Sequence, residues 1–354
     1  MPRAVRLLSV PLALTLAACS GGGGDPTAPA ESSTTGTTTT APAGPGLTVP
    51  QAAAMMRDYD ARNNPAIEAA GAPRFDEKPW ARADVGPALE QDVLNTRVDR
   101  ADPPKEPEKS GPLTSRVSGV VGAARHRSGE VAIVDSPFER DPSSASTASS
   151  TDPSSTATTK EPPRTVLRVM RREGGGAWKL WSSVGAPKGA LPAPLPPSTD
   201  PTPTPAQVRA NQTLVPQVID SLREEQGAPF AKAEPVRDFL DELWPGGKPV
   251  RGMTRTLQCE PYAARGSNDV ADALLAVRAR SATVSAVTVR CRVDWQAAEG
   301  RAIFFGKGFA AVNRVSTEGN PQATVQLVVT AIVTRDDGKP PRLLGLGGGY
   351  VVPD

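Results

Sequence analysis

Across 354 residues the chain sets 40 Lys+Arg against 38 Asp+Glu, a formal net charge of +2, and holds 38 Pro, 32 Gly, 3 Cys and a single His. A balance this near zero excludes a broad nucleic-acid surface, which needs clustered basic charge. One histidine and three cysteines cannot furnish the common His/Cys metal sites.

Arg3 and Arg6 precede a short apolar run at 7–16, and Ala17 and Ala18 follow. That is the layout of a secretory signal peptide, too short to span a bilayer by itself. No other stretch reaches 18 uninterrupted apolar residues, so no spanning helix is expected. "LAAC", 16–19, resembles the lipobox of bacterial lipoproteins, in which the cysteine sulfur receives a diacylglyceryl group and the signal is cut just before it. The resemblance implies that 1–18 is a lipoprotein signal peptide and that Cys19 is the lipidated mature N-terminus. Two acyl chains attach stably, at about 0.8 kcal/mol per buried methylene, where one binds only marginally. Losing 1–18 removes Arg3 and Arg6 and no acid, leaving 38 charges of each sign. Polybasic attraction to lipid therefore adds nothing, and the acyl chains must hold the protein.

Residues 19–46 are Gly, Ser, Thr, Pro and Ala with almost nothing large. They cannot offset the entropy of ordering, so a disordered tether is expected, with a mean reach of about 30 Å. The first structured unit is expected over 47–191. Thr48 can cap a helix with Pro50 in its first turn, and Ala52, Met55, Met56 and Tyr59 recur at helical spacing. Asn63-Asn64-Pro65 should interrupt it, with 66–70 resuming after a kink. A second helix is expected over 87–96. Strands follow at 116–124, 130–135, 164–172 and 177–184, the last two joined at Gly174-Gly175-Gly176 as a hairpin. "DPSSASTASSTDPSSTATTKEPP", 141–163, reads as a long disordered loop between strands.

The proline-rich stretch "PAPLPPSTDPTPTPA" begins at 192, and 192–205 reads as an interdomain linker, semi-rigid through polyproline II. The second unit, 206–354, repeats the order of the first. An amphipathic helix is expected over 205–226 and a short one over 236–244, stopped by Pro245-Gly246-Gly247. Strands are expected at 254–261, 273–280, 283–295, 301–315, 321–335 and 342–352. In "ATVQLVVTAIVT", Val325, Leu327, Val329, Ala331 and Val333 share one face. Val328 and Ile332 interrupt the Thr/Gln face opposite, which predicts a sheet partly covered on both sides.

Two units of helices followed by mostly antiparallel sheet give an α+β class with two domains. "TVPQAAAMMRDYDARNNPAIEAA", "ALEQDVLNT" and "VLRVMRREGGGAWKLWSSVGAP" resemble the N-terminal half of a group of uncharacterised actinobacterial lipoproteins. Such halves are similar to the nuclear-transport-factor-2-like or cystatin-like cone, helices wrapped by a curved antiparallel sheet. The resemblance covers 47–187 and, more loosely, 205–354. The family carries no activity to transfer, so it implies no catalytic residue.

Catalytic signals are absent from the sequence. His126 lies between Arg125 and Arg127 as a solvated turn residue, and no G-x-S-x-G elbow accompanies it. "GLGGGY", 345–350, reads as a flexible strand or bulge, and "GKG", 306–308, lacks the rest of a phosphate loop. The pairs Glu224-Glu225 and Asp336-Asp337 read as solvated faces. Arg164, Arg168, Arg171 and Arg172 read as the outer face of a strand, with contact to anionic wall polymers as the sharper alternative. Asn211-Gln212-Thr213 matches a glycosylation sequon by chance. Trp178, Trp181, Trp295, Phe304 and Phe305 read as core, with a ligand-lined cone as the alternative; Phe304 and Phe305, being consecutive, point to opposite faces.

The expected function is that of a lipid-anchored extracytoplasmic lipoprotein of the cell membrane, a binding or scaffolding module rather than an enzyme, with no cofactor. Its expected partners are the bilayer through Cys19 and an envelope protein or wall polymer, not nucleic acid. The alternative is an enzyme or small-ligand carrier of the nuclear-transport-factor-2-like kind with a cone-shaped pocket. With Cys19 lipidated, Cys259 and Cys291 remain, each in register with apolar strand neighbours. Their pairing would close about 32 residues, a gain of roughly 3–4 kcal/mol in the chain-entropy model; two buried free thiols are the alternative. Thiol titration of the denatured protein decides between them: a disulfide leaves no titratable thiol in the mature lipidated chain without reductant and two with it.

Overall fold

The first helix begins where the chain supplies its own end groups. Thr48 accepts from the Gln51 N–H, and Gln51 Oε1 accepts from the Thr48 N–H at 2.8 Å. This reciprocal cap starts α1, Val49–Ala70, by pairing donors that a helix start otherwise leaves open. The structure, a computed structural model, describes residues 46–104, 112–136, 164–244 and 247–353, and the backbone alone at 5–6 and 138–139. Cys19, nearly all of the expected tether and the 141–163 loop lie outside the described residues.

α1 does not break at Asn63-Asn64-Pro65. The helix carries Pro65 inside it. Asn64 is tied on both sides to Leu113, donating to its carbonyl and accepting from its N–H, each at 3.0 Å. Ala66 and Ile67 are buried on the same helix, so packing holds the turn that proline weakens. A short α2, Trp80–Ala83, and α3, Pro87–Ala101, follow. Four antiparallel strands then form the first sheet in the order β1 (Gly119–His126), β2 (Gly129–Asp135), β3 (Arg164–Arg172), β4 (Lys179–Pro187).

The second half opens with α4, Pro205–Gln212, and α5, Leu214–Leu222. The single helix expected here is two, because Pro216 has no N–H for the Gln212 carbonyl and its ring crowds that oxygen. After α6, Glu234–Glu242, come β5 (Met253–Pro261), β6 (Leu274–Arg278), β7 (Ala282–Ala297), β8 (Gln322–Asp336) and β9 (Arg342–Val351). The sheet order is β9-β8-β7-β5, with β6 pairing the other end of β7. The strand expected over 301–315 is instead a two-residue extended piece, Ile303–Phe304, and the helix α7, Lys307–Asn313. Phe305 and Phe309, one helical turn apart, stack at 5.3 Å, a pairing that an extended chain would forbid.

The protein is thus α+β with two antiparallel sheets, and the sheets pack on each other. Along β2, Val131 and Ile133 point into the layer between the sheets, while Ala132 and Val134 point to α1. Along β7, Val284 and Ala286 enter that same layer, while Val287, Val289, Cys291 and Val293 face α5 and α6. β8 behaves likewise, with Val328 and Ile332 toward the first sheet and the Val325–Val333 alternation toward the helices. The order of layers is helices, sheet, sheet, helices. Residues 192–205 follow the edge of this sandwich. Ala193 and Pro201 carbonyls accept from the Arg280 and Arg278 N–H groups at 3.0 and 2.7 Å, and Thr202 accepts from Arg125.

The glycines of 345–349 have their reason here. β9 crosses β4 so closely that a Cβ at Gly345 would overlap the Gly185 carbonyl, and one at Gly347 would lie 2.8 Å from the Ser183 oxygen. The stretch is a strand with a bulge at Leu344 beside Gly345, and its missing side chains let two backbones meet. Gly345→Ala is expected to destabilise the protein by about 1–3 kcal/mol through overpacking. Gly185→Ala, whose added carbon meets nothing within 4 Å, should fall within about 0.5 kcal/mol of the parent; urea unfolding of the two variants checks the contrast.

Candidate functional site

The chemically richest part of the molecule is the seam where the halves meet. It starts at the turn between β1 and β2. His126 Nδ1 lies 3.1 Å from Ser128 Oγ and 3.6 Å from Asp272 Oδ1, and Ser128 Oγ donates to that same Asp272 oxygen at 2.9 Å. Arg171 donates to Asp272 Oδ2 and to Ser128 Oγ, and Arg127 bonds Asp269 at 3.0 Å. Ser, His and Asp are gathered, but not as a nucleophile with its base. A relay needs the serine on one ring nitrogen and the acid on the other. Here both sit at Nδ1, and Ser128 Oγ is already engaged by Arg171, Asp272 and His126. Burial lowers the His126 pKa, aided by Arg171 and Arg127 and opposed by Asp272 and the Leu274 carbonyl, so the ring is neutral near pH 7.

Arg171 continues the seam inward. Its guanidinium lies 5.1 Å from the Trp181 ring centre, Trp181 meets Tyr262 edge-on at 5.4 Å, and Arg290 lies 5.3 Å from the Tyr262 ring. Arg290 then pairs with Glu90 of α3 at 2.9 Å to each carboxylate oxygen, and the Tyr262 hydroxyl donates to Glu90 at 2.8 Å. Burial, the Glu90 charge and the Glu90 hydrogen bond hold the Tyr262 pKa well above its ordinary value. Trp181 can join because it is the extra residue of a bulge. Val169 pairs Ser182 and Met170 pairs Leu180, which leaves Trp181 free to turn into the layer between the sheets. Its Nε1 donates to Thr288 at 3.1 Å. Acid, cation, aromatic, aromatic, cation and acid therefore alternate from Asp272 to Glu90, joining the two halves by charge and by cation–π attraction.

A second polar group lies inside the first half. Asp60 accepts from the Ser115 N–H at 2.8 Å and from its hydroxyl at 2.6 Å, and Arg168 donates to Ser115 at 2.7 Å with its guanidinium over the Tyr59 ring. Arg168 is fully buried, and burial lowers its pKa, yet a guanidinium stays charged. Burial raises the Asp60 pKa against the two Ser115 bonds.

Several expectations change at this level. Most of the basic strand is not an outer face: Arg164 is exposed at its start, but Arg168 and Arg171 are buried in different layers, and Arg172 pairs Glu130 while covering Trp178. His126 is not a solvated turn residue, since Ser128 and Asp272 hold it. The five aromatics do not converge on one pocket. Trp295 and Phe305 join Phe309 and Tyr350 in the second core, whereas Trp181 faces the seam and Trp178 the Arg172 side chain. Asn211 is buried and bonded to Thr283 at 3.1 Å. Cys259 and Cys291 are direct partners in register and are disulfide-bonded, with Cα atoms 4.1 Å apart. A small cavity lined by Val218, Ser221, Phe230, Val236, Ala331, Leu343 and Leu346 has no room for a water molecule. Among the described residues no helix is long and apolar enough to cross a membrane, and no three His, Cys, Asp or Glu residues gather as a metal site.

Sequence reasoning missed Asp272, Tyr262, Glu90 and Arg290. Asp272 is 146 positions beyond His126 by residue number, and no local spacing announces such a pairing. No protein-family model matches this chain, and no curated protein matches it.

Glu90 and Arg290 form a nearly buried pair, their side chains 15% and 10% exposed. Glu90→Ala leaves the guanidinium without its partner and is expected to cost about 3–5 kcal/mol. Glu90→Gln, which still accepts from Arg290 and Tyr262, should cost less. Chemical unfolding of the two variants measures the difference.

Proposed function

We propose that this chain is an envelope lipoprotein, anchored at the extracytoplasmic face of the cell membrane through diacylglyceryl Cys19. On this reading two nuclear-transport-factor-2-like, or cystatin-like, units stand fused back to back as a binding or scaffolding module. The observation that carries the reading is how the two helix-on-sheet cores are filled. The second core is closed by the Trp295, Phe305, Phe309 and Tyr350 chain, and the first is occupied by Tyr59, Arg168, Asp60 and Ser115. A small-ligand site is concave and largely preformed, and cores filled in this way favour recognition by the surface over a ligand pocket among the described residues. Recognition then falls to the surface and the loops, carried on a sandwich whose halves are locked by the seam. The lipobox and the Gly/Ser/Thr/Pro stretch behind it support a body held clear of the lipid by a flexible tether.

Two measurements test the proposal. Cells given labelled palmitate should label the parent protein and not Cys19→Ala; label on the variant would remove the anchor. Cross-linking on intact cells, read by mass spectrometry, should capture an envelope protein or wall polymer. A tightly bound small molecule in the purified native protein, with nothing captured on cells, would favour the carrier reading instead.

A further inference from the structure

Two carboxyl groups of the first half act on each other in its interior, and both lie in the α2–α3 segment, whose α3 also reaches the second half. Asp84 caps the end of α2, and Asp92 lies on α3. They are 1% and 4% exposed. Tyr59 from α1 donates to Asp84 Oδ1 at 3.3 Å. The other oxygen, Asp84 Oδ2, is buried and receives no hydrogen bond from a fixed N–H or O–H donor. The Asp92 carboxyl is the group within hydrogen-bond reach of the Asp84 side chain, and it supplies a hydrogen only when it carries a proton. Two adjacent carboxylates cannot both ionise cheaply in a low-dielectric interior.

The same helix carries the seam's anchor. Asp92 points into the first core, while Glu90, two residues earlier, reaches Arg290 and Tyr262 of the second half. Thr96 of α3 accepts from the Trp80 indole at 2.9 Å and donates to the Asp92 carbonyl at 2.8 Å, so α2 and α3 are bound together around the acid pair. We propose that Asp84 and Asp92 form a proton-operated latch: the protonated pair seats α3 on the first half and thereby holds the Glu90 bridge to the second, and loss of the proton loosens both.

The groups facing the pair are Tyr59 and Arg62 of α1, with Asp60 near Tyr59, Arg168 of β3 and Lys179 of β4. The cations spend hydrogen bonds elsewhere: Arg62 on the Arg82 and Trp178 carbonyls, Lys179 on the Ala81 carbonyl, Arg168 on Ser115. Burial raises the Asp84 pKa to about 7 against their pull and the hydrogen bonds of Asp92 and Tyr59. Burial, then the Asp84 charge and hydrogen bond, hold Asp92 well above the carboxylate range. Both folded values exceed the unfolded ones, so the stabilisation is complete below about pH 4 and is lost as pH rises through about 7 and beyond.

The experiment compares the full chain with Asp92→Asn, whose amide donates to Asp84 without a titratable proton, and with Asp84→Asn. Unfolding equilibria at several pH values between 5 and 7 should show the parent losing up to about tenfold in folding constant per pH unit beyond the slope of either variant. Hydrogen exchange, corrected for intrinsic rate, should show α3 amides less protected at pH 7.5 than at 5.5 in the parent and little changed in Asp92→Asn. Variants with the parent's slope would overturn the latch. So would α3 protection in the parent that does not depend on pH, a result that stands even if neither variant folds.

Discussion

The contact of sheet with sheet is the constraint on which the rest of this architecture depends. Once Val131, Ile133, Leu167 and Val169 of one sheet meet Val284, Ala286, Val328 and Ile332 of the other, each sheet has one face left for its own helices. α1 and α5–α6 are thereby assigned to the outside before their own sequences are considered. A fully buried Val, Leu or Ile contributes about 1.5–3 kcal/mol, so a layer of this size outweighs the preferences of any one short helix. It also explains the near-continuous burial along β7 and β8, which would be unusual in an antiparallel sheet with one face in water.

Such a layer tolerates few polar groups, and the molecule gathers them where they can be bonded. The seam from Asp272 through Arg171, Trp181, Tyr262 and Arg290 to Glu90 closes the sandwich along one side, with each arginine set against a carboxylate. Buried polar groups are costly when unpaired, and these pairs need residues from both halves to form. The seam therefore fixes how the halves sit, and α3 belongs to both of them by its chemistry. A body built this way is rigid where it is buried.

The periodic parts of the fold were legible. β3, β4, β7 and β8 stand within a few residues of where alternation and β-branched content put them, because burial imposes period two whatever the partner is. The interruption of the Thr/Gln face by Val328 and Ile332 announced a second covered face, though not what covers it. Local signals failed where a long-range contact overruled them. Pro65 stays helical because Asn64 is tied to Leu113. Residues 307–313 are helical because Phe305 and Phe309 stack against each other and extend to Tyr350. Arg168 and Arg171 of β3 were misread because strand alternation gives two faces, and here both are interior.

The sequence by itself determined the long strands β3, β4, β7 and β8, the capped start of α1 and the opposed apolar faces of β8, all of which depend on neighbours within a few residues. The tertiary structure alone decided that His126 meets Asp272, that Glu90 meets Arg290 and that Asp84 meets Asp92 across the α2–α3 junction. It also decided that the glycines of β9 admit the backbone of β4. Charge and backbone contacts of this kind have no period along the chain. They exist only once two sheets have packed and brought distant residues into a medium where an unpaired charge is expensive.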